Sequence, residues 1–218
     1  MSRAREAAGG GRVVEVSPER LAGWFDRFAA RNDGIRETGA TEDTVVVTAN
    51  NGTTATVAVP FPPLTGSGPP TIRLSIHTKQ PRTFGLLLVR LGAHSVGIAE
   101  HGKVVVSRTD RHHVHGRSAA GGWSQQRFAR RRAGQARQAL ADAADDALDV
   151  LGPRLADLDA VLLGGDRRAL DELREDRRLA PVFALALPRI LDVPEPRRAV
   201  LDEAAERARA VEIVVRER

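Results

Sequence analysis

Residues 121–126 read GGWSQQ, and they carry side chains and backbone suited to one kind of chemistry. Two adjacent glycines, Gly121 and Gly122, let a loop take up positive φ and bring bare backbone N–H groups against a ligand. A helix starting next to them would add its unsatisfied first-turn N–H groups and the positive end of its dipole. Gln125 and Gln126 then supply neutral carboxamides, which donate and accept hydrogen bonds without titrating and can orient a water molecule beside an ester. Ser124 sits between the glycines and the amides. Around this core stand His115, Arg117, Trp123, Arg127, Arg130, Arg131 and Arg132, a set fitted to grip phosphates and stack on a base.

Other chemistries can be drawn from the same stretch and are weaker. His113 and His115 would share one face of an extended segment, but the chain has no cysteine and the nearest acid is Asp110, so no metal is expected. Ser124, His115 and Asp110 could be arranged as a triad, yet nothing around the serine resembles a nucleophile elbow. The charge distribution agrees better with a polyanion. From Arg108 to Arg137 there are 8 arginines and a single acid, whereas from Gln138 to Ala160 there are 6 aspartates and one arginine.

The whole chain, 218 residues with a formal charge of +5 and 42% hydrophobic content, can bury a core in one or two domains. The absence of cysteine fits a reducing cytoplasm, and no apolar run reaches the length of a membrane span. The expected organisation is a flexible tail over 1–11, a small α+β unit over 12–80 and an α/β domain over 81–218 with its glycine loop at 116–126. In the first unit RVVEV is an apolar run, and Ser17-Pro18 predicts the cap and first turn of a helix carrying Leu21, Trp24, Phe25 and Phe28. Asn51-Gly52 between two β-rich runs predicts a hairpin, and the alternation of Ile72, Leu74 and Ile76 predicts one further strand.

In the second part, TFGLLLVRLG, HSVGIAE and KVVVSRTD predict an antiparallel meander. A helix of about 28 residues then starts at Ser124, with Ala129, Ala133, Ala136, Leu140, Ala143, Ala147 and Leu151 on its packing face and Arg127, Arg130, Arg131 and Gln138 opposite. LDAVLLGG predicts a buried strand, RRALDELRED a helix, VFALAL a further apolar element and PRRAVLDEAAERARAV a closing helix. The fold class that follows is α/β, a mixed sheet covered by helices.

The order HGR, GGWSQQ, RFARRR resembles the middle domain of eukaryotic and archaeal class-1 peptide-chain release factors, and AVLLGGDRRALDEL and FGLLLVRLGAHSVGIAEHGKVVV resemble its later and opening elements. The resemblance covers about residues 83–215 and implies an RNase H-like sheet. Ser118-Ala119-Ala120 separates the His-Gly-Arg from the glycines, and Trp123 stands where those factors carry glutamine. The shifted arrangement is closer to the release-factor-like peptidyl-tRNA hydrolases of ribosome quality control, relatives of the yeast Vms protein, in their actinobacterial branch. That resemblance implies hydrolysis of the ester between nascent chain and tRNA on a stalled or split large ribosomal subunit. Gln125 takes the catalytic place, with Gln126 as the alternative. The expected partners are peptidyl-tRNA, the large subunit and its rRNA; the expected protein is a monomer with no cofactor and no membrane. Cleavage of the tRNA near its 3′ end by the same loop, or simple docking on rRNA, are the competing readings.

Overall fold

The computed structural model describes residues 4–7, 9–90, 92–111 and 123–217, with residues 4–5 and 123–133 as backbone alone. The backbone forms two compact units, residues 1–81 with 207–218 and residues 82–206.

The first unit is an antiparallel sheet under two helices. Strands β1 (Ala4–Glu6), β2 (Arg12–Val16), β3 (Ile35–Ala40), β4 (Thr44–Ala49), β5 (Thr54–Ala58) and, from the far end of the chain, a last strand at Val211–Arg216 run in the order β1-β2-last-β5-β4-β3. Alternation sets the buried face: Val45 and Val47 of β4 lie opposite Val57 and Ala55 of β5, and Val211 and Ile213 lie opposite Val16 and Val14. Leu21, Phe25 and Phe28 of α1 (Leu21–Arg31) and Leu74 of α2 (Pro70–His77) close this core. The hairpin at Asn51-Gly52 forms as expected. Its Gly52 sits at φ +90, and Ala49 N–H donates to the Thr53 carbonyl at 2.9 Å, which makes a three-residue loop.

Several elements differ from the sequence expectation. Residues 4–6, placed in a flexible tail, form a strand because backbone pairing onto the open edge of β2 needs no apolar side chains. The stretch around Ile72, Leu74 and Ile76 is helical. Pro70 opens it at the first turn, and only Leu74 and His77 face inward, while Ile72 and Ile76 point out at 56% and 61% exposure. Strand β3 was not expected, since IRETGA at a sheet edge is exposed along nearly its whole length and has no apolar alternation. Ser17 precedes the first helical turn, but its side chain makes no cap hydrogen bond. The closing helix ends at Arg209, and EIVV continues as a strand inserted between β2 and β5, so the expected 81–218 domain loses its last strand to the first unit's sheet. Val211, Ile213 and Val215 alternate inward there, a period-2 signal hidden by its brevity.

The second unit holds a five-stranded sheet. The meander β6 (Thr83–Arg90), β7 (Ala93–Glu100) and β8 (Lys103–Arg111) is antiparallel; after the long helix α3 (Trp123–Leu151), β9 (Ala160–Gly165) pairs parallel to β6, and after α4 (Arg167–Arg174) and α5 (Ala180–Ala184), β10 (Ala186–Leu191) pairs parallel to β9. The strand order β10-β9-β6-β7-β8 is the mixed sheet expected from the sequence. The near-unbroken apolar run of β6, buried from Phe84 to Val89, marks a strand covered on both faces. The helix α6 (Arg198–Arg209) follows β10, and the last strand, Val211–Arg216, is β11.

The turn from β9 into α4 depends on Gly165. Its φ is +101, and a Cβ there would run into the Val89 carbonyl, while the carboxylate of Asp166 caps α4 by accepting from the Arg168 N–H at 3.0 Å. Gly165→Ala should therefore lower stability by about 2–4 kcal/mol, read as a shift of the urea midpoint at unchanged slope. A midpoint equal to the parent's would show that this strand end is free to shift.

Candidate functional site

Helix α3 begins at Trp123, at the end of the glycine loop, and runs 29 residues to Leu151. Ser124, Gln125 and Gln126 therefore occupy its first turn, where N–H groups have no intrahelical acceptor. His115, Arg117, Gly121 and Gly122 lie outside the described residues, and Trp123, Ser124, Gln125, Gln126, Arg127, Arg130, Arg131 and Arg132 are described as helix positions only. Helical phase still orders them. Positions 127, 130 and 131 fall opposite the seam of Ala139, Ala143, Ala147 and Leu151, as expected, and positions 125 and 126 are about 100° apart around the axis.

What holds this helix is at its other end. Ala139, Ala143, Ala144, Ala147, Val150 and Leu151 are buried, and the seam packs with Leu87 and Val89 of β6 and Val96 and Ile98 of β7. Ala136, expected on the packing face, is exposed, as are Arg137 and Gln138. Ala139 is the first buried residue of α3 among those whose side chains are described. From there to Trp123 is 16 residues of helix, about 24 Å.

Polar contacts fix the packed half in rotation. His94 on β7, only 1% exposed, meets Asp146 through Nε2 at 2.8 Å; the carboxylate accepts only, so Nε2 carries the proton, and Nδ1 has no partner among the described residues. Arg108 on β8 donates to Asp146 at 2.8 Å and to Asp149 at 2.7 Å. On the other flank Arg178, just ahead of α5, donates to Asp145 at 2.8 Å and to Asp176 at 2.7 Å. These contacts were not anticipated from the sequence, where the aspartate run counts only as the acidic half of the charge asymmetry. Burial pushes the Asp146 carboxyl up, but the hydrogen bonds from Arg108 and His94 outweigh it, and the group stays below its ordinary range.

Beside the seam lies an apolar cleft of about 320 Å³ bordered by Val89, Gly92, Ala93, Ala136, Leu140 and Ala169. Its charged rim is already engaged, Asp166 in capping α4 and Arg168 with Glu172 at 3.3 Å, so it brings no nucleophile or free acid to a substrate. Among the described residues no group of histidines and acids has metal-binding geometry, and no helix is long and apolar enough to cross a membrane.

Because the Asp146 carboxyl is held below its unfolded value, its stabilisation is complete above the unfolded pKa, near 4, and is lost as pH falls through the lower folded value. Asp146→Asn should cost about 2 kcal/mol at neutral pH and flatten the parent's loss of stability below about pH 4, both read from melting curves across pH. Parallel pH profiles for variant and parent would refute this assignment.

Residues 82–214 match the family model described as Actinobacteria/chloroflexi VLRF1 release factor. Among solved structures, the chain is similar to an archaeal translation termination factor, aRF1, at 13% identity and a TM-score of 0.45, covering 90% of this chain and 63% of that one. It is also similar to S. cerevisiae Dom34, described as a translation termination-like factor involved in RNA quality control pathways and interacting with Hbs1, at 8% identity and a TM-score of 0.32, covering 92% of this chain and 65% of that one. The chain thus spans less than two thirds of the length of either structure. A comparison with curated proteins gives no match. Since the family match takes in well over half of its residues, the chain belongs to the Actinobacteria/chloroflexi VLRF1 release factor family.

Proposed function

We propose that the protein is a peptidyl-tRNA hydrolase that frees nascent chains from tRNA on stalled or split large ribosomal subunits. The observation that carries this reading is the start of α3 at Trp123, which puts two carboxamides and the free first-turn N–H groups directly after a glycine pair in a release-factor-like chain. The aminoacyl ester is already reactive, so the protein has only to hold water in line and stabilise the oxyanion that develops. A carboxamide does the first and backbone N–H groups do the second. Gly121 and Gly122 give the loop its close approach, Ser124 contributes a hydroxyl beside the amides, and Gln125 is the water-positioning residue, with Gln126 the alternative. His115, Arg117, Trp123, Arg127, Arg130, Arg131 and Arg132 hold rRNA and the tRNA acceptor end. The reaction needs no metal or organic cofactor, and the protein works in the cytoplasm as a monomer.

The length of α3 supports this reading. A loop that must enter a narrow catalytic cavity needs reach, and α3 supplies 29 residues of continuous helix, about 43 Å, behind it.

Gln125→Ala should lower the rate of release of labelled peptide from peptidyl-tRNA on large subunits by about 10²- to 10³-fold, with subunit binding unchanged. Gln126→Ala should cost far less. Equal release by parent and a variant lacking both amides would refute the mechanism, and a tRNA product shortened at its 3′ end would show a nuclease instead.

A further inference from the structure

The first unit carries a basic ridge that the loop chemistry leaves unused. Arg20 at the N-cap of α1, then Trp24, Arg27 and Arg31, follow one another at spacings of four, three and four residues, which brings them onto one stripe of the helix. All three arginines are exposed, and Trp24 is half-buried. The burial of Leu21, Phe25 and Phe28 sets the stripe roughly a quarter turn from the core-facing side. Trp24 is held there by stacking on Phe28, with ring centroids 5.4 Å apart and planes at 14°, and by an edge contact to Phe25 at 5.3 Å. The position one turn before Arg27 is Gly23, where even a Cβ would lie 3.3 Å from an Arg27 guanidinium nitrogen.

These arginines differ from those that pair along their own helix elsewhere in the described structure. On α4 and α6, Arg168, Arg174 and Arg198 each meet an acid three or four places away, at 3.3, 3.8 and 3.1 Å. No acid stands three or four places from Arg20, Arg27 or Arg31, and none of the three guanidinium groups makes an ion pair or hydrogen bond among the described residues. Glu19, next to Arg20, is occupied by Arg209 at 3.1 Å, and Asp26 lies about 100° around the helix from Arg27. Arg27 and Arg31 are a like-charge pair one turn apart, an arrangement that destabilises a helix. Three unneutralised guanidinium groups, about 10 and 6 Å apart along the axis with an immobilised indole between them, match a polyanion that offers repeated phosphates and aromatic faces.

We propose that the Arg20-Trp24-Arg27-Arg31 ridge of α1 is an RNA-binding surface that grips the phosphate backbone of RNA independently of the glycine loop. The inference goes beyond the hydrolase reading and does not need it. In the full-length protein, binding of a fluorescein-labelled RNA stem-loop, followed by anisotropy, should weaken about tenfold or more in the variant Arg20→Gln, Arg27→Gln, Arg31→Gln, and the log–log salt slope should become shallower by about 2 to 3. All three side chains are exposed, so the melting temperature should stay at the parent's value. In a Trp123→Phe background, Trp24 is the sole tryptophan, and its fluorescence should be quenched at saturating stem-loop. Release of peptide at saturating large subunits should survive the triple substitution. Parent-like affinity and salt slope in the triple variant would overturn the proposal, as would unquenched Trp24 fluorescence. Weaker binding to intact large subunits with unchanged stem-loop affinity would also overturn it, because the ridge would then meet an acidic protein surface. If a variant without both amides still releases peptide, the hydrolase reading fails and the ridge is untouched.

Discussion

The packed C-terminal half of α3 sets the direction of the whole helix. The C-terminal part of α3 is wedged against β6 and β7 by alanines small enough to bring the helix close, and Leu151 closes its end. An alanine seam resists separation but resists rotation poorly. Rotation is set by charge: Asp146 and Asp149 are tied to Arg108 on one flank and Asp145 to Arg178 on the other. A twist of a few degrees at this base is carried to the first turn of the helix. The buried His94 makes the tie directional, since its Nε2–H donates to Asp146 and its Nδ1 meets no donor among the described residues.

This arrangement gives the abrupt change of charge along the sequence a structural meaning. A helix dipole favours acids near the N-terminus and bases near the C-terminus, and α3 has the opposite order, with arginines at 127, 130, 131 and 132 and aspartates at 142, 145, 146 and 149. The aspartates are compensated by arginines from neighbouring elements and by the Gln138 amide, which donates to Asp142 at 2.9 Å. The arginines of the first turns work against the dipole. The switch in sign falls between Arg137 and Asp142, next to Ala139, the first buried residue of the helix among those whose side chains are described.

The parts of the fold legible in the sequence are those whose signal is local and strong. The three strands of the meander, the Asn51-Gly52 hairpin and the long alanine-seamed helix all announced their period or their turn residue. The misread parts had weak local signals that tertiary structure overrode. Ile72, Leu74 and Ile76 alternate as a strand would, but Pro70 starts a helix, and tertiary contacts select Leu74 and His77 as its inner face; His77 Nε2–H then donates to the Pro60 and Phe61 carbonyls at 2.8 and 3.1 Å and holds the proline-rich loop. Strand β11 could not be assigned to the first sheet by any local rule, because its partners β2 and β5 lie more than 150 residues upstream. In the candidate site, the residue types and the helix start were readable, whereas the clamp of His94, Arg108 and Arg178 was not. Its members come from three separate elements that only the folded sheet brings to α3.

The remaining arginines separate into two populations. Those on the second unit's described surface are largely spent internally: Arg82 on Asp159, Arg90 on Asp192, Arg111 on Glu195, Arg154 on Glu100 and Asp157, Arg198 on Asp202. Exposed pairs of this kind add little stability, but each removes a positive charge from the field that an approaching polyanion feels. A net charge of +5 is small for 218 residues, and spread evenly it would steer nothing. Pairing concentrates it. Where arginines are left unpaired, as at Arg20, Arg27 and Arg31 on α1, the charge stays available, and recognition of RNA then follows from where acids have been left out.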